Sequence, residues 1–169
     1  KRTFEAICER VQSRTTQGDV LGNKQMVQAE VADLWMEIEQ FRLLVLQTAW
    51  KIDKHNDYKV VKQDIAAAKV LSERVMVSAA RRAIHLHGAL GISNEVLFGE
   101  YLLWGYALGL ADGPSEVHQL TVAKEALGKV RPTEALFPSA HLPSAARVYE
   151  KKYAESLKLP GHRRGWVGV

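Results

Sequence analysis

The sequence predicts an all-α fold, an antiparallel four-helix bundle with extra short helices. The first observation is a stripe of apolar residues, three or four positions apart, that continues for about seven helical turns. Its members are Val27, Val31, Leu34, Ile38, Phe41, Val45, Ala49 and Ile52. The second is that no strand-like alternation of apolar and polar residues persists anywhere in the chain. Because the helical segments are long and their connections short, neighbouring helices are expected to pack antiparallel.

Glycine, proline and polar residues divide the chain into helical segments and loops. The predicted helices cover residues 1–14, 23–55, 58–86, 114–129 and 144–157, with one or two short helices in 93–110. Asn23 is the expected N-cap of the longest helix, and His55-Asn56-Asp57 ends it. Residues 15–22 form an expected loop, and residues 160–169 an expected tail.

The two long central helices are expected to pack differently. Large apolar residues widen the stripe of the first one, namely Trp35, Leu43, Leu44, Leu46 and Trp50. We therefore expect it to be buried on more than one side, inside a bundle or between subunits. The second has a face rich in small residues, with Ala68, Ala79 and Ala83 beside Ile65 and Val75, which lets another helix approach closely.

Composition excludes several classes of protein. The chain has 169 residues, enough for one domain with a real core, and a mildly basic net charge of +4. Its charges are interspersed except for His162-Arg163-Arg164, so a nucleic-acid-binding stripe is not indicated. The single Cys8 permits neither an intrachain disulfide nor a cysteine metal site. No apolar run is long enough for a membrane span, and the N-terminus lacks a secretory h-region.

An acidic turn interrupts the helical pattern at Leu110-Ala111-Asp112-Gly113-Pro114. Gly113 tolerates unusual backbone angles, Pro114 suits a first helical position, and Glu116 follows in the first turn of the next helix. Asp112 is then either a helix-capping residue or a catalytic carboxylate that is held on a rigid turn. Local sequence alone leaves both interpretations open.

Other chemistries find little support in the residues. A di-iron bundle needs Glu-x-x-His pairs, and the sequence has none. His85 and His87 are two positions apart on a predicted helix, so their side chains diverge and are expected to be core or boundary residues rather than metal ligands. The sequence also lacks a Gly-x-Ser-x-Gly motif, a P-loop and a Rossmann fingerprint.

Three ordered stretches resemble the C-terminal helical domain of the acyl-CoA dehydrogenase family, over roughly residues 1–130. Arg14-Thr15-Thr16-Gln17-Gly18, with Gln25 downstream, resembles the family's Arg-x-x-Phe-Gly loop. His85-Leu86-His87-Gly88-Ala89-Leu90-Gly91 resembles its Gln-x-x-Gly-Gly-x-Gly loop. Asp112-Gly113-Pro114-Ser115-Glu116 stands at the place of its Glu-Gly-Thr turn, and is similar to a subgroup with Asp in place of the catalytic Glu.

The resemblance implies a flavoenzyme that holds FAD and oxidises an acyl-CoA to the 2,3-enoyl-CoA. Asp112 would remove the α-proton as catalytic base while the β-hydrogen leaves as hydride to the flavin. The implied cofactor-binding residues are Arg14, Thr16, Gln17, His85, Gly88, Ala89, Pro114 and Glu116, and the implied substrate-binding residues are Ala111 and Gly113. No metal is implied.

Partners are implied as well. In the family the Arg-x-x-Phe-Gly loop reaches the FAD of a neighbouring subunit, so a homodimer or homotetramer is expected. Acyl-CoA is the expected substrate, and an electron-transfer flavoprotein or a similar acceptor the expected partner, without nucleic acid or a membrane span. The expected location is the cytoplasm of a bacterium, or mitochondria or peroxisomes in a eukaryote.

The sequence departs from the family pattern at several site positions. Gln17 replaces Phe, His85 replaces Gln, Pro114 replaces Thr, and Leu103-Trp104 stand where Arg-Asp is frequent. These departures indicate either a divergent enzyme or a homologue without flavin or activity. The alternative function is a non-catalytic helical assembly or scaffold module of a dehydrogenase-like complex.

The domain assignment follows from the same resemblance. Residues 1–130 are expected to form the C-terminal helical-bundle domain, and residues 131–169 an extension with one further helix and a tail. The sequence opens in the middle of a helical pattern, as though a helix had been cut. The family's preceding helical and β-domains supply much of the flavin and acyl-CoA sites. We therefore expect this chain alone to be a C-terminal piece that binds FAD weakly or not at all.

Overall fold

Helices account for nearly all regular structure in residues 1–154, the part of the chain that the computed structural model describes. The helices are α1 (Arg2–Ser13), α2 (Gln25–His55), α3 (Tyr58–His87), α4 (Phe98–Leu110), α5 (Ser115–Leu127) and α6 (Leu142–Lys152). A two-residue pair of strands, β1 (Thr15–Thr16) and β2 (Asp19–Val20), follows α1, and 3-10 turns cover Leu21–Asn23 and Gly88–Ile92. The predicted all-α fold is confirmed.

Helix α3 is the central element of the first compact unit, Lys1–Lys129, because α1, α2, α4 and α5 all pack against it. Ion pairs at both ends show that α2 runs antiparallel to α3. The Lys51 ammonium lies 2.8 Å from the Asp64 carboxylate, and the Arg82 guanidinium 2.6 Å from Glu30. Ala79 and Ala83, on the small-residue face predicted for this helix, are buried.

The core lies where α1, α2, α3 and the start of α4 meet. Its buried members are Ile7, Val11, Leu34, Ala79, Ala83, Leu86 and Phe98. Ile7 and Leu34 are the large side chains with essentially no exposed surface. Leu34 belongs to the apolar stripe predicted for α2, so the periodicity identified the side of this helix that faces the core at Leu34.

Arg82 brings charge into the α2–α3 interface. It is only 8% exposed. Its two terminal nitrogens donate to Glu37 at 3.1 and 3.0 Å, its Nε donates to Glu30 at 2.6 Å, and it also contacts the Ser78 hydroxyl. Burial alone would lower the pKa of this guanidinium, but the hydrogen bonds and charges of Glu37 and Glu30 outweigh burial and raise it. The buried charge is therefore neutralised by α2.

The segment before α2 differs from its prediction in two ways. Instead of a plain loop, Thr15 pairs with Val20 and Thr16 with Asp19, and Gln17 and Gly18 form the connecting turn with φ values of 50° and 77°. The predicted N-cap Asn23 was wrong, because Lys24 occupies that position. The Asn23 amide instead donates to the Asp19 carboxylate at 2.8 Å, which ties the residue to the strand pair.

Other boundaries agree closely with the sequence. Asn56 ends α2 in a left-handed conformation (φ 43°), and the Asp57 carboxylate accepts from the backbone N–H of Lys59 at the start of α3. Residues 93–110 contain one α-helix, α4. Gly105 and Gly109 do not interrupt it, because both lie where α4 closely approaches α3.

Helix α2 presents a wide apolar surface that no other element of the described chain covers. Trp35, Leu43, Leu46 and Trp50 are each more than half exposed. The expectation that this helix is buried on more than one side is therefore not met within a single chain. Burial between subunits stays a prediction.

The second compact unit begins at Val130. Its described part contains α6, which begins two residues before the predicted helix and has Pro143 in its first turn. The end of that predicted helix, the predicted tail and the basic cluster His162-Arg163-Arg164 lie outside the described residues. No helix in the described part is long and apolar enough to cross a membrane.

Candidate functional site

The acidic turn lies between two helices that follow each other along α3. At one end, the Phe98 ring of α4 packs 4.6 Å from the His87 ring. In the middle, Gly109 and Ser115 both lie against Glu73. At the far end, Glu125 of α5 pairs with Lys62 at 2.7 Å. Helices α4 and α5 therefore run in the same direction, antiparallel to α3, and the turn that separates them faces the middle of α3.

Unusual backbone angles define the turn itself. Asp112 has φ 53° and Gly113 has φ 100°, so two consecutive residues lie in the region that favours glycine. The His118 ring approaches the Asp112 carbonyl at 3.2 Å, and its Nε2 would donate there. Pro114, the predicted first residue of this helix, instead occupies the N-cap of α5, and no side chain caps the helix. The capping interpretation of Asp112 is therefore wrong.

The Asp112 side chain is exposed in the single chain. Within the described residues its carboxylate has no hydrogen bond or ion pair. Grooves in the described part of the chain include one of about 560 Å³ between α1 and α2 and one of about 280 Å³ between α3 and α5. Neither is lined by Asp112. Ala111, Pro114 and Glu116 are exposed too, so most of the turn faces solvent in the single chain.

Sequence reasoning missed the residues of α3 that lie beneath the turn. The Ser115 hydroxyl donates to the Glu73 carboxylate, and the Lys69 ammonium donates to the Leu108 carbonyl. Gly109 packs so closely on Glu73 that an added Cβ would lie 2.6 Å from the carboxyl carbon. The four-residue spacing of Gly105 and Gly109 was the available signal, since it places both on one helical face.

The predicted loop around Arg14 begins at the C-cap of α1. The Arg14 backbone is fixed, because its carbonyl accepts from the Leu21 N–H at 2.7 Å. Its side chain is exposed and has no hydrogen bond or ion pair within the described residues. Thr16 is half-buried, and Gln17 lies exposed in the two-residue turn. Backbone hydrogen bonds thus hold the loop, and the guanidinium of its first residue, Arg14, has no partner within the described chain.

The second predicted loop, residues 85–91, contains both exposed and buried residues. His85, Gly88 and Ala89 are exposed, and no atom lies within 4 Å of where a Gly88 side chain would start. His87 is buried, and its Nδ1 donates to the Ala83 carbonyl at 2.7 Å. The two histidines therefore diverge as predicted, and His87 is a core residue. No group of three or more potential metal ligands occurs in residues 1–154.

Gly91, the last residue of the second loop, is there for packing. A Cβ at this position would lie 2.3 Å from the Ile84 carbonyl oxygen. No side chain fits such a gap without a shift of the α3 backbone. The glycine thus lets the chain turn tightly under the end of α3, and it places Gly88 and Ala89 outward.

The loop around Arg14 and the loop that follows α3 lie together, but the acidic turn is not beside them. Arg10 of α1 donates to the His87 carbonyl at 3.4 Å, which places the end of α1 beside the end of α3. Glu73, under the acidic turn, lies fourteen residues earlier on α3, a separation of about 20 Å along the helix. The residues predicted for the site therefore lie on two separate surfaces of the chain.

Comparison with known proteins agrees with this architecture. The family profile "Acyl-CoA dehydrogenase, C-terminal domain" matches residues 1–127. The Mycobacterium tuberculosis protein named "Probable acyl-CoA dehydrogenase FadE2" is 33% identical over 135 residues, which is 80% of this chain and 33% of that protein. A structure from Mycobacterium abscessus, described as an acyl-CoA dehydrogenase, has a TM-score of 0.72 and 34% identity, and covers 75% of this chain and 31% of its own.

A second solved structure shares the fold at lower identity. It is a glutaryl-CoA dehydrogenase from Mycobacterium smegmatis in complex with FADH2, with a TM-score of 0.69 and 24% identity, covering 78% of this chain and 33% of its own. The chain spans about a third of the length of these relatives. The chain belongs to the acyl-CoA dehydrogenase family, and its matched residues form the family's C-terminal domain.

Proposed function

We propose that this chain is the C-terminal part of an FAD-dependent acyl-CoA dehydrogenase, in which residues 1–130 form the helical-bundle domain and residues 131–169 an extension. The single observation that supports this best is Asp112. It has a left-handed backbone at the junction of two helices, in the stretch that resembles the family's catalytic turn, and its carboxylate has no partner within the described residues. A carboxylate with a fixed backbone and a free side chain can reach a substrate proton.

Asp112 would remove the α-proton of the acyl-CoA. This proton is only weakly acidic, so the carboxylate must lie within hydrogen-bond distance of the α-carbon and the thioester oxygen must be stabilised. FAD, when bound, supplies the acceptor for the β-hydride. Asp112 is exposed in the single chain, so we propose that the remaining domains cover it.

The two loops at the other end would bind the cofactor of a neighbouring subunit. Arg14 has an unpaired guanidinium that suits two phosphate oxygens, and Gly88 leaves space for a close backbone approach. His85, Ala89, Thr16 and Gln17 surround this surface. About 20 Å of α3 separates these loops from the turn. The loops and the Asp112 of one subunit would therefore belong to different sites, and each site would combine the Asp112 of one subunit with the loops of another. Pro114 and Glu116 would contact the flavin bound beside the turn.

The expected partners follow from this arrangement. A homodimer or homotetramer would unite the two surfaces, and the uncovered apolar face of α2 offers area for such contacts. Acyl-CoA would be the substrate, held partly by Ala111 and Gly113. An electron-transfer flavoprotein or a similar acceptor would reoxidise the flavin.

Anaerobic titration of the full-length protein with acyl-CoAs tests the function. Straight-chain, branched and aromatic thioesters are added to the flavin-loaded protein, and the flavin absorbance near its long-wavelength maximum is recorded. At least one thioester should bleach the flavin and yield the 2,3-enoyl-CoA by mass. Absence of bound flavin, or flavin that no thioester reduces, would favour the scaffold function. The scaffold function has support in the sequence, because Gln17, His85 and Pro114 differ from the family's usual cofactor-binding residues.

Replacing Arg14 by Ala should lower FAD retention more than it lowers the thermal stability of the apoprotein. The reason is that the guanidinium has no partner within the described chain, so its removal breaks no internal contact, whereas a bound diphosphate would lose a bidentate, charge-assisted donor. FAD per subunit after gel filtration and the apoprotein Tm are the two measurements. The control is Arg81→Ala, which removes another largely exposed arginine, 62% exposed and 3.9 Å from Glu30. Equal losses of FAD and stability would instead identify Arg14 as a structural residue.

A further inference from the structure

We propose that Lys69 and Glu73 form a clamp on α3 that holds the acidic turn and thereby positions Asp112. This inference rests on the proposed function, because it assigns the clamp to the same site. The clamp consists of two charged side chains, one helical turn apart, whose contacts lie on opposite sides of the break between α4 and α5. Neither residue touches the reacting atoms, so both are positioning residues.

Glu73 holds the side of the turn that leads into α5. The Ser115 hydroxyl donates to its Oε2, and Ser115 is only 8% exposed. Ser115 is also the first residue of α5, a helix end with backbone N–H groups that have no helical partner and no side-chain cap. A carboxylate at a helix N-terminus is electrostatically favourable. Glu73 thus adds a second negative charge, beside that of Glu116 in the first turn, to this uncapped helix start.

Lys69 holds the side of the turn that leaves α4. Its ammonium donates to the carbonyl of Leu108, one of the last four carbonyls of α4, which have no helical partner. A positive charge at a helix C-terminus is favourable for the same reason that a negative charge suits an N-terminus. The positive charge of Lys69 at the end of α4 and the negative charge of Glu73 at the start of α5 therefore both match the helix dipoles.

Close packing fixes the carboxylate in place. An added Cβ at Gly109 would lie 2.6 Å from the carboxyl carbon and 2.7 and 2.8 Å from the oxygens of Glu73. Only a glycine lets the last turn of α4 rest on this group. The turn is thereby enclosed between contacts at Leu108, Gly109 and Ser115, and Asp112 lies between them.

The backbone of Asp112 explains why such a clamp is needed. A φ of 53° is disfavoured for a residue with a side chain and persists where the surroundings enforce it. If the contacts with α3 are lost, the turn can relax and the carboxylate moves. A misplacement of about 1 Å in a catalytic group can cost about a hundredfold in rate.

The test compares variants of Glu73 in the full-length, flavin-loaded protein. Glu73→Ala should lower kcat by about 10- to 100-fold with little change in KM, because the base is displaced while acyl-CoA binding is retained. Glu73→Gln, whose amide oxygen still accepts from Ser115, should recover most of the rate. Gly109→Ala should act like Glu73→Ala, since it displaces the end of a flexible side chain without removing it. The control Glu125→Gln alters another α3–α5 contact, the ion pair with Lys62, and should leave kcat unchanged.

Two further readouts separate positioning from general structural damage. A substrate deuterated at the α-carbon should show a larger isotope effect on flavin reduction in Glu73→Ala, since proton removal becomes slower relative to other steps. Amide exchange in residues 110–117 of the purified protein should rise by about fivefold or more, the factor for one hydrogen bond of typical net strength. A merely less stable protein would lose active flavin sites while the isotope effect stayed the same.

The inference is overturned if Glu73→Ala and Gly109→Ala leave both turnover and amide exchange at the turn unchanged. It is also overturned if Glu73→Gln is as impaired as Glu73→Ala. Failure of the proposed function has a different signature. In that case Asp112→Asn keeps full turnover, or no flavin binds, whereas amide exchange in the Glu73 variants still reports whether α3 holds the turn.

Discussion

Asp112→Asn is expected to lower the rate of flavin reduction by acyl-CoA by about 10² to 10⁴-fold, the usual contribution of a positioned general base. Asparagine has nearly the same size but cannot accept a proton at neutral pH. The Asp112 side chain is exposed and has no hydrogen bond or ion pair within the described residues, so its replacement breaks no internal contact. Flavin content and Tm should therefore remain close to those of the unmodified protein.

Stopped-flow reduction of the bound flavin measures this effect directly. Asp33→Asn is the matched control, because Asp33 is an exposed aspartate of α2 without a partner in the described chain. That variant should reduce its flavin at the normal rate. Normal reduction in Asp112→Asn as well would exclude this residue as the base, and a parallel loss of Tm would indicate a structural role.

The fold was largely predictable because the strongest local signals and the tertiary packing agree. The apolar stripe of α2 identified Leu34, which is buried. Asn56 and Asp57 have side chains that favour helix ends, and they are at helix ends. Asn23 failed for a physical reason. Its amide has a partner in the Asp19 carboxylate, and that carboxylate becomes available only when the strand pair forms.

The candidate site was predictable only in part. Motif resemblance located Asp112, and the glycine and proline beside it indicated a turn. The contacts of Glu73 with Ser115 and Gly109 span 42 and 36 positions along the chain, so no local pattern reveals them. Gly109 is a packing residue, because α4 approaches α3 closely at this position. A single sequence does not distinguish a glycine that is needed for close helix packing from a glycine that forms a turn.

Arg82→Ala should have the largest effect on stability, a loss of about 3 kcal/mol in the free energy of unfolding. The guanidinium is buried and makes bidentate contact with Glu37 and a further hydrogen bond to Glu30. Its removal leaves two carboxylates of α2 facing α3 without a counter-charge. Their side chains are 35% and 38% exposed, so water can reach them in part, and the loss falls at the lower end of the range for broken buried pairs.

Urea unfolding of the purified protein measures this loss as a lower midpoint at constant slope. Arg42→Ala is the control, because Arg42 pairs with Glu39 at 2.7 Å on the surface of α2 with 55% of its side chain exposed. A surface pair of this kind contributes at most about 1 kcal/mol. If both variants lost at most about 1 kcal/mol of unfolding free energy, Arg82 would contribute no more than a surface ion pair. The α2–α3 interface would then be less tightly packed than its hydrogen bonds indicate. A large loss confined to Arg82→Ala would instead mean that α2 is anchored to α3 independently of its exposed apolar face, which would leave that face available for contacts with another subunit.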